Sequence, residues 1–544
     1  MTANLDIRVG RPWGGLGGAY ARGEPDALRW FGADWRDPGA WRERARIVGE
    51  AFGKEGRRRA VAALRAPTDE VRRALDRVVE EDGFLITTGQ QPGLFTGPLY
   101  TIHKALTAVA LARWVEVVVE APVVPVFWVA SEDHDWAEAN HAHLIGVDNE
   151  LHRLELAPPP RAGELPLHRL PLGADVEATV DAMSQLLPQT EFTKPYIDLI
   201  RGAWRPGTTL PEAMRVTLEA LLAPFGMAFV DAGDPALKAA SLGVLDSAAR
   251  SAEVHERGLI QRAADLTAAG WSVQAPVLEG GVNLFIENEA GRERLYRKDG
   301  AFTLKGSGLF TLDDLARRLR EDSSTVSPNV LLRPVVEAAA LPTLGYVAGP
   351  AETAYFAELG PLFASHGVAQ PIVFPRFSVT MVERKVGKVL EKLGLEIEAL
   401  ARPMHEIASD MARNDLPEGV TSTLTRIRAA IETESDALLE AARAVDPTLK
   451  GPMDRARSQA LEAFADAEKK VIQALKRASE TRLQQVEKAR LRLFPEGVPQ
   501  ERLINAFYYL VRYGPALLDE LVQRFAESLP PGVTAEGPPA RLGG

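Results

Sequence analysis

The spacing of apolar positions changes several times along this chain, and each change marks a different element. Over residues 38–80 apolar residues recur at helical spacing among dense arginine and glutamate, as in "AVAALRAPTDEVRRALDRVVE", which predicts surface helices over a sheet. "FLITTG" is then short and continuously apolar, "LYTIHKALTAVALARWV" is helical, and "APVVPVFWVASEDHD" is a second apolar run that ends in charge. Apolar residues in succession, rather than in alternation, predict strands buried on both faces. The stretch therefore reads as one right-handed βαβ unit of a doubly wound parallel sheet. Further strands of this kind are predicted at "MAFVDAG" (227–233), "LPTLGYVAGP" (341–350) and "QPIVFPR" (370–376), each ending in glycine, proline or charge, as strand ends beside a ligand crevice do.

Two interruptions differ in character. Residues 150–210 are proline-rich and mixed, which suggests an inserted module, and "VNLFIENEAGRERLYRKDGAFTLKGSG" (282–308) alternates like hairpins, with "EAGR" and "KDGA" as turns. From about residue 380 alanine, glutamate, lysine, arginine and leucine dominate. Leu424, Ile427, Ile431, Leu438 and Val445 fit the apolar seam of a coiled coil, as do Leu461, Phe464, Val471, Leu475 and Ala478. "DPTLKGP" separates the two runs, so an antiparallel helical hairpin is expected. Its second helix, running to Phe494, would be roughly 60 Å long, and so long a seam either packs on its own body or pairs with a second copy of the chain. Aromatic helices after "FPEGVPQ" are expected to return to the main body, ahead of a Pro/Gly tail at 530–544.

Composition narrows the function. At 544 residues, 46% hydrophobic and 25% charged, the chain is an ordinary globular protein too long for one core. A formal net charge of -11 disfavours a nucleic-acid partner, and the absence of cysteine excludes disulfides, thiolate metal sites and a cysteine nucleophile. "WVEVVVEAPVVPVFWVA" is too short and too charged to span a bilayer, and no basic segment followed by an apolar run opens the sequence, so a cytoplasmic location is expected.

Three segments carry candidate chemistry. The loop "TTGQQPGLFTGPLY" follows the first strand of the βαβ unit, where backbone amides face a ligand. Gly89, Gly93 and Gly97 would let the backbone approach an anion, Gln90, Gln91 and Thr96 would add uncharged donors, and a tight connection with no ligand is the competing reading. The loop is neither a Walker A motif nor a G-x-G-x-x-G turn. Lys104 and His103, early in the next helix, could reach such an anion or be solvated. At the end of the second strand Glu132, Asp133, His134 and Asp135 crowd together, with His141 and His143 beyond. Crowded titratable groups shift one another's proton affinities, which makes His134 a candidate general base, while a purely capping role stays open. Without H-x-x-x-H spacing no metal is assigned. In the third segment Arg333, set among apolar residues, must be paired or face a cleft. Glu352 either caps a helix or binds an amine, and Arg376 ends a strand and could be an ordinary surface arginine.

In combination "TTGQQPGLFTGPLYTIHKA", "PVFWVASEDHDWAEANH", "SPNVLLRPVVEAAALPTLGYVAGPAETAYF" and "FPRFSVTMVERK" closely resemble the bacillithiol biosynthesis cysteine-adding enzymes, over most of the chain. The resemblance implies an α/β fold: a Rossmann-like parallel sheet core, akin to class I synthetases and nucleotidyltransferases, with two inserted modules and a C-terminal antiparallel coiled coil that forms a homodimer. Mapped on this sequence, the core would take residues 1–160, 226–265 and 326–380, the inserted modules 161–225 and 266–325, the helical arm 381–495, and the returning helices and tail 496–544. The implied reaction joins cysteine to the amine of glucosaminyl malate through an activated carboxylate. The activating cosubstrate is left open, with ATP suspected, because no clear HIGH or KMSKS tetrapeptide is present and "GPLYTIHK" and "LKGSG" are only loosely comparable. In that scheme His134, with Asp133 and Asp135, deprotonates the sugar ammonium, and Lys104, Arg333 and Arg376 hold malate carboxylates or phosphate. Thr88, Tyr100, Glu132, Asn329 and Glu352 join the loop residues as substrate contacts. Two other readings stay open, a different ligase of the nucleotidyltransferase or pantothenate-synthetase type and a non-catalytic coiled-coil scaffold.

Overall fold

The continuously apolar runs form one five-stranded sheet: β1 (Phe84–Gln90), β2 (Val123–Val129), β3 (Ala228–Asp231), β4 (Thr343–Ala348) and β5 (Ile372–Pro375). The computed structural model describes residues 5–304 and 309–531, apart from the side chain of Ala478. "KGSG" at 305–308 and nearly all of the Pro/Gly tail therefore lie outside the described residues. All neighbouring strands are parallel, in the order β5-β4-β1-β2-β3. The chain builds outward from β1 in one direction, then resumes on its other side with β4. The gap between the carboxyl ends of β1 and β4 is thus the switch point at which a doubly wound sheet binds its ligand.

Helix α1 (Tyr100–Val119) makes the crossover from β1 to β2 and is apolar nearly all round because it is buried nearly all round. Its first turns stand at the switch point, with Tyr100 and Lys104 four residues apart on one face. Two more short helices reach the same place, α2 (Arg333–Ala340) and α3 (Pro350–Phe356), each with proline near its start where no backbone donor is lost.

The segments read as insertions take different forms. Residues 161–225 are largely helical, with helices Asp175–Leu186, Thr193–Ala203 and Leu210–Leu222. Strands Gly281–Asn288 and Gly291–Lys298 pair as an antiparallel hairpin turning at residues 289–290, in a second five-stranded sheet that also holds Val326–Pro328.

Residues 7–380 and the segment from Glu501 form one compact unit, and Met381–Gln500 make up nearly all of the other. The second unit buries its apolar residues at one place, where Val386, Leu390, Leu400, Ile407, Val486 and Leu493 pack together. Beyond this, helices Glu418–Val445 and Lys450–Ala478 pair along their length, with cross-helix ion pairs Arg428–Glu468 and Arg457–Asp436. Leu438, Val445 and Phe464 of the expected seam are exposed, whereas Leu424, Ile427 and Ile431 are half-buried. The second helix does not run unbroken to Phe494: it stops at Ser479 and resumes as Glu480–Leu493. Serine competes for backbone hydrogen bonds and so ends helices, a break that apolar spacing alone hides.

Candidate functional site

At the carboxyl ends of β1 and β4 the larger unit encloses a cavity of about 460 Å³, a size suited to a small-molecule ligand. Its floor is a set of cations already joined to carboxylates. Lys104 Nζ donates to Glu352 Oε2 at 2.6 Å and to the Gly89 carbonyl at 2.5 Å. Glu352 also accepts from Tyr346 Oη at 3.0 Å and from the Gly349 amide at 2.8 Å, so it caps α3 and pairs with Lys104 at once. Burial alone would raise the Glu352 pKa, but Lys104 outweighs it and holds the group below the usual range. Arg333 Nη1 donates to Glu337 Oε2 at 2.6 Å, one helical turn on, and Nη2 to Tyr355 Oη at 3.3 Å. Arg376, 2% exposed, is bidentate to Glu501, with Nη1 to Oε2 at 3.0 Å and Nη2 to Oε1 at 2.8 Å. Glu501 accepts as well from Ser378 Oγ and the Val379 amide, and meets His103 Nδ1 at 3.0 Å.

These pairs bear on the expected anion clamp. Lys104, Arg333 and Arg376 do border one cavity, but each spends its charge on a carboxylate of this chain, and Arg376 is no surface arginine. A buried cation left without a partner costs several kcal/mol, so the fold supplies one. Glu132 is likewise paired, with Lys238 of helix Pro235–Arg250.

The outer wall is different. Arg292 and Arg294, on the same face of strand Gly291–Lys298, line the cavity together with Arg502. Among the described residues no carboxylate forms an ion pair with any of the three. Arg292 is held by Ser327 Oγ at 3.0 Å and by the Pro328 carbonyl at 3.4 Å, and stands over the Phe285 ring at 3.8 Å, with Arg294 at 4.9 Å from the same ring. Sequence reading missed all three. The alternation in "GRERLYRK", which puts Arg292 and Arg294 on one face, was the available clue for two of them. Arg502 follows Glu501 directly and has no pattern to mark it.

The loop after β1 is tight for reasons of its own. A Cβ on Gly89 would meet the Trp128 carbonyl oxygen at 2.8 Å, and one on Gly93 would meet Gly97 Cα at 2.9 Å, so these glycines serve close packing within the protein rather than a ligand's approach. Phe95 and Thr96 take left-handed backbone conformations, φ 51° and 77°, strained for a β-branched threonine, while Asn505 Nδ2 donates to the Phe95 and Gly97 carbonyls at 2.8 Å each and fixes the turn. Thr88 Oγ1 is spent on the Val347 carbonyl across the sheet. Thr88, Gly93, Thr96 and Gly97 are therefore absent from the cavity wall, which Gly89, Gln90, Gln91 and Tyr100 do line. Gln90 Nε2 donates to Tyr100 Oη at 3.2 Å, and Gln91 Nε2 to Asp133 Oδ2 at 2.5 Å.

The acidic cluster after β2 also divides. Asp133 lines the cavity and accepts from the His134 amide at 2.6 Å and the Asp135 amide at 3.1 Å. His134 does not line it: its Nδ1 lies 3.4 Å from Arg292 Nη1 and 3.7 Å from Asp133 Oδ1. Burial and the Arg292 charge lower its pKa, which leaves the imidazole neutral near pH 7. Asp135 caps helix Trp136–Ala139 through the Glu138 amide, away from the cavity. Asn329 lines the wall with its amide tied to Asn283 Oδ1 and its carbonyl oxygen accepting from the Leu331 and Leu332 amides, and so sets the entry to α2. Among the described residues no group of three or more histidines or carboxylates could hold a metal ion, and no helix is long and apolar enough to cross a membrane.

Comparison with known proteins agrees with this architecture. The family model described as "Bacillithiol biosynthesis BshC, N-terminal Rossmann-like domain" matches residues 12–377, and "Bacillithiol biosynthesis BshC, C-terminal coiled-coil domain" matches residues 379–529. Among curated relatives, the protein named "Putative cysteine ligase BshC" of Salinibacter ruber is 34% identical over 502 residues, covering 89% of this chain and 90% of the relative. Its namesake from Chlorobaculum tepidum is 32% identical over 527 residues, covering 91% and 90%. A third, from Heliobacterium modesticaldum, is 30% identical over 548 residues, covering 96% and 98%. With both domains matched in order and similarity along nearly the whole length, the chain belongs to the bacillithiol biosynthesis BshC family.

Proposed function

We propose that this protein is a ligase that joins the carboxyl group of cysteine to the amine of glucosaminyl malate, in a cytoplasmic pathway to bacillithiol. The observation that carries the reading is the outer wall: Arg292, Arg294 and Arg502 converge on the cavity at the sheet's switch point with no ion-pair partner among the described residues. Malate brings two carboxylates, and guanidinium groups bind carboxylates through paired, charge-assisted hydrogen bonds. The family's name and the relatives' names supply the chemistry of cysteine ligation.

In this scheme the floor positions and the wall binds. The Lys104–Glu352 and Arg333–Glu337 pairs fix the helices that frame the cavity, and the outer arginines hold the malate group so that the sugar amine points inward. A free carboxylate is a poor electrophile, and ATP is the proposed activator, supplying an adenylate or phosphate leaving group whose charge the same arginines suit. The amine nitrogen then forms a bond to the cysteine carbonyl carbon as the bond to the leaving group breaks. One proton must leave the ammonium before attack, and a second leaves the nitrogen with the departing adenylate or phosphate. Asp133 meets the amine at the cavity wall, and the neutral His134, 3.7 Å behind it, takes the proton onward. The paired helices of the second unit, matched by the family's coiled-coil domain, are proposed to make a homodimer, which would cover exposed Leu438, Val445 and Phe464.

The test is direct. Purified protein is incubated with cysteine, glucosaminyl malate and ATP, and the product is read by mass spectrometry. A thiol adduct of the sugar, lost in Asp133→Asn and in the Arg292→Gln/Arg294→Gln double variant, is the expected outcome. Absence of any adduct with folded protein would overturn the assignment.

A further inference from the structure

The first cavity has a smaller neighbour. A pocket of about 190 Å³ lies beside it, and Gln90, Gln91, Tyr100 and Arg502 line both, so the two adjoin. The loop after β1, the first turn of α1, helix Trp136–Ala139 and strand His141–Ile145 supply its other walls. Pro92, Pro98, Ala142 and Leu503 make part of that lining apolar.

Two opposite charges border this pocket without pairing with one another. Glu138 lines it, and its carboxylate accepts from Gln91 Nε2 at 3.5 Å, the outer limit of a hydrogen bond. Among the described residues no cation forms an ion pair with it. Partial burial and the charges of Asp133 and Asp135 raise its pKa, so a cation arriving with a ligand would stabilise the carboxylate. His141 on the same wall does not supply that cation. Its Nδ1–H donates to the Ala137 carbonyl and to Asn140 Oδ1 at 3.2 Å each, and burial and Arg153 lower its pKa, which leaves the ring neutral near pH 7. Arg502, exposed and likewise without an ion-pair partner among the described residues, stands where the pocket meets the first cavity.

We propose that this pocket holds the amino-acid substrate, with Glu138 binding its α-ammonium and Arg502 its α-carboxylate. The inference rests on the cysteine-ligase reading above and adds where cysteine sits and what recognises it. An amino acid carries one charge of each sign on neighbouring groups, and the pocket offers one unpaired group of each sign. Glucosaminyl malate, with two carboxylates, suits the arginine-lined first cavity, so each substrate has its own chamber. Gln91 links the chambers: its Nε2 donates to Asp133 Oδ2 and reaches Glu138 Oε2, which sets the carboxylate that meets the sugar amine beside the one that holds the cysteine ammonium. The cysteine carboxyl then faces the sugar amine across the shared border. Holding the cysteine nitrogen as an ammonium also keeps it from attacking, because only a free amine is a nucleophile, and this leaves the sugar amine as the group that is acylated.

The test compares L-cysteine with 3-mercaptopropionate, which keeps the thiol and carboxylate but lacks the ammonium. Each is titrated calorimetrically into the full chain under reducing conditions, with and without glucosaminyl malate, in the parent protein and in Glu138→Gln. Glu138 is exposed, so this isosteric change should leave the melting temperature nearly unchanged. The parent should bind cysteine with a dissociation constant of about 0.1–1 mM, at least about tenfold more tightly than 3-mercaptopropionate. Glu138→Gln should bind the two thiols alike, with its affinity for glucosaminyl malate unchanged. Equal cysteine affinity in parent and variant, no cysteine binding at about 10 mM, or a loss of glucosaminyl malate affinity in the variant would each overturn the proposal. The two readings fail separately. A parent protein that forms the adduct but binds cysteine independently of Glu138 sinks this inference alone, whereas a Glu138-dependent preference for cysteine without any adduct upholds the amino-acid pocket and overturns the ligation.

Discussion

Lys104, Arg333 and Arg376 on the floor of the first cavity each end against a carboxylate of this chain, whereas Arg292, Arg294 and Arg502 along its outer wall end against none among the described residues. Both groups face the same space. A cation fixed by an internal carboxylate holds secondary elements in place and has little charge left for a ligand, while one anchored through hydroxyls, carbonyls and an aromatic face keeps its charge to offer. The difference separates the residues that build the site from those that would recognise a polyacid, a separation that proximity to the cavity does not provide.

The largest expected effect comes from breaking the floor. Glu501→Ala leaves Arg376 buried and unpaired and should lower the unfolding free energy by about 3–5 kcal/mol, read from the denaturant midpoint. Single glutamine substitutions at Arg294 or Arg502 should shift stability by less than about 0.5 kcal/mol, the usual range for surface positions. A destabilisation at the wall equal to that at the floor would erase the distinction.

Next in size is the effect of acid. In Glu501 burial would raise the pKa, but Arg376 and His103 outweigh it and hold the carboxylate well below its usual range, and Lys104 does the same for Glu352. Carboxylates of this kind stabilise the fold fully above the unfolded value near 4.3 and lose that contribution as pH falls through their lower folded values. Unfolding free energy should therefore decline below about pH 5, and Glu501→Gln should flatten that decline. A pH-independent stability between about pH 5 and pH 2 would contradict the pairing seen on the floor. Salt should have the smallest effect. Raising ionic strength from about 0.01 to 0.15 M should weaken glucosaminyl malate binding a few-fold through the exposed Arg502, while leaving the buried floor pairs, and so the melting temperature, nearly unchanged.

The same contrast explains what the sequence disclosed. The five core strands were legible because continuous apolar runs have few alternatives to a buried parallel sheet, and "EAGR" marked a turn by its glycine chemistry. Arg333 stood out because charge among apolar neighbours is conspicuous, whereas Lys104 and Arg376 were marked only by their places, early in a helix and at the end of a strand. That conspicuousness marks burial, though, and burial demands a partner, which here lies far off in sequence at Glu352 and Glu501 or one turn away at Glu337. Arg294 and Arg502 looked ordinary because a ligand-facing arginine sits in the same polar context as a solvated one. The glycines after β1 announced a close approach, and the structure shows the approach to be to Trp128 and to the loop itself. The break at Ser479 was hidden because the apolar spacing continues across it.

The division between floor and wall is tested most directly by calorimetric titration of glucosaminyl malate into the parent protein and into the Arg292→Gln/Arg294→Gln variant, with melting temperatures measured alongside. A loss of affinity of about 10- to 100-fold, or roughly 1.4–2.7 kcal/mol, is predicted for the variant, with its melting temperature within a few degrees of the parent's. Unchanged affinity in that folded variant would contradict the central claim.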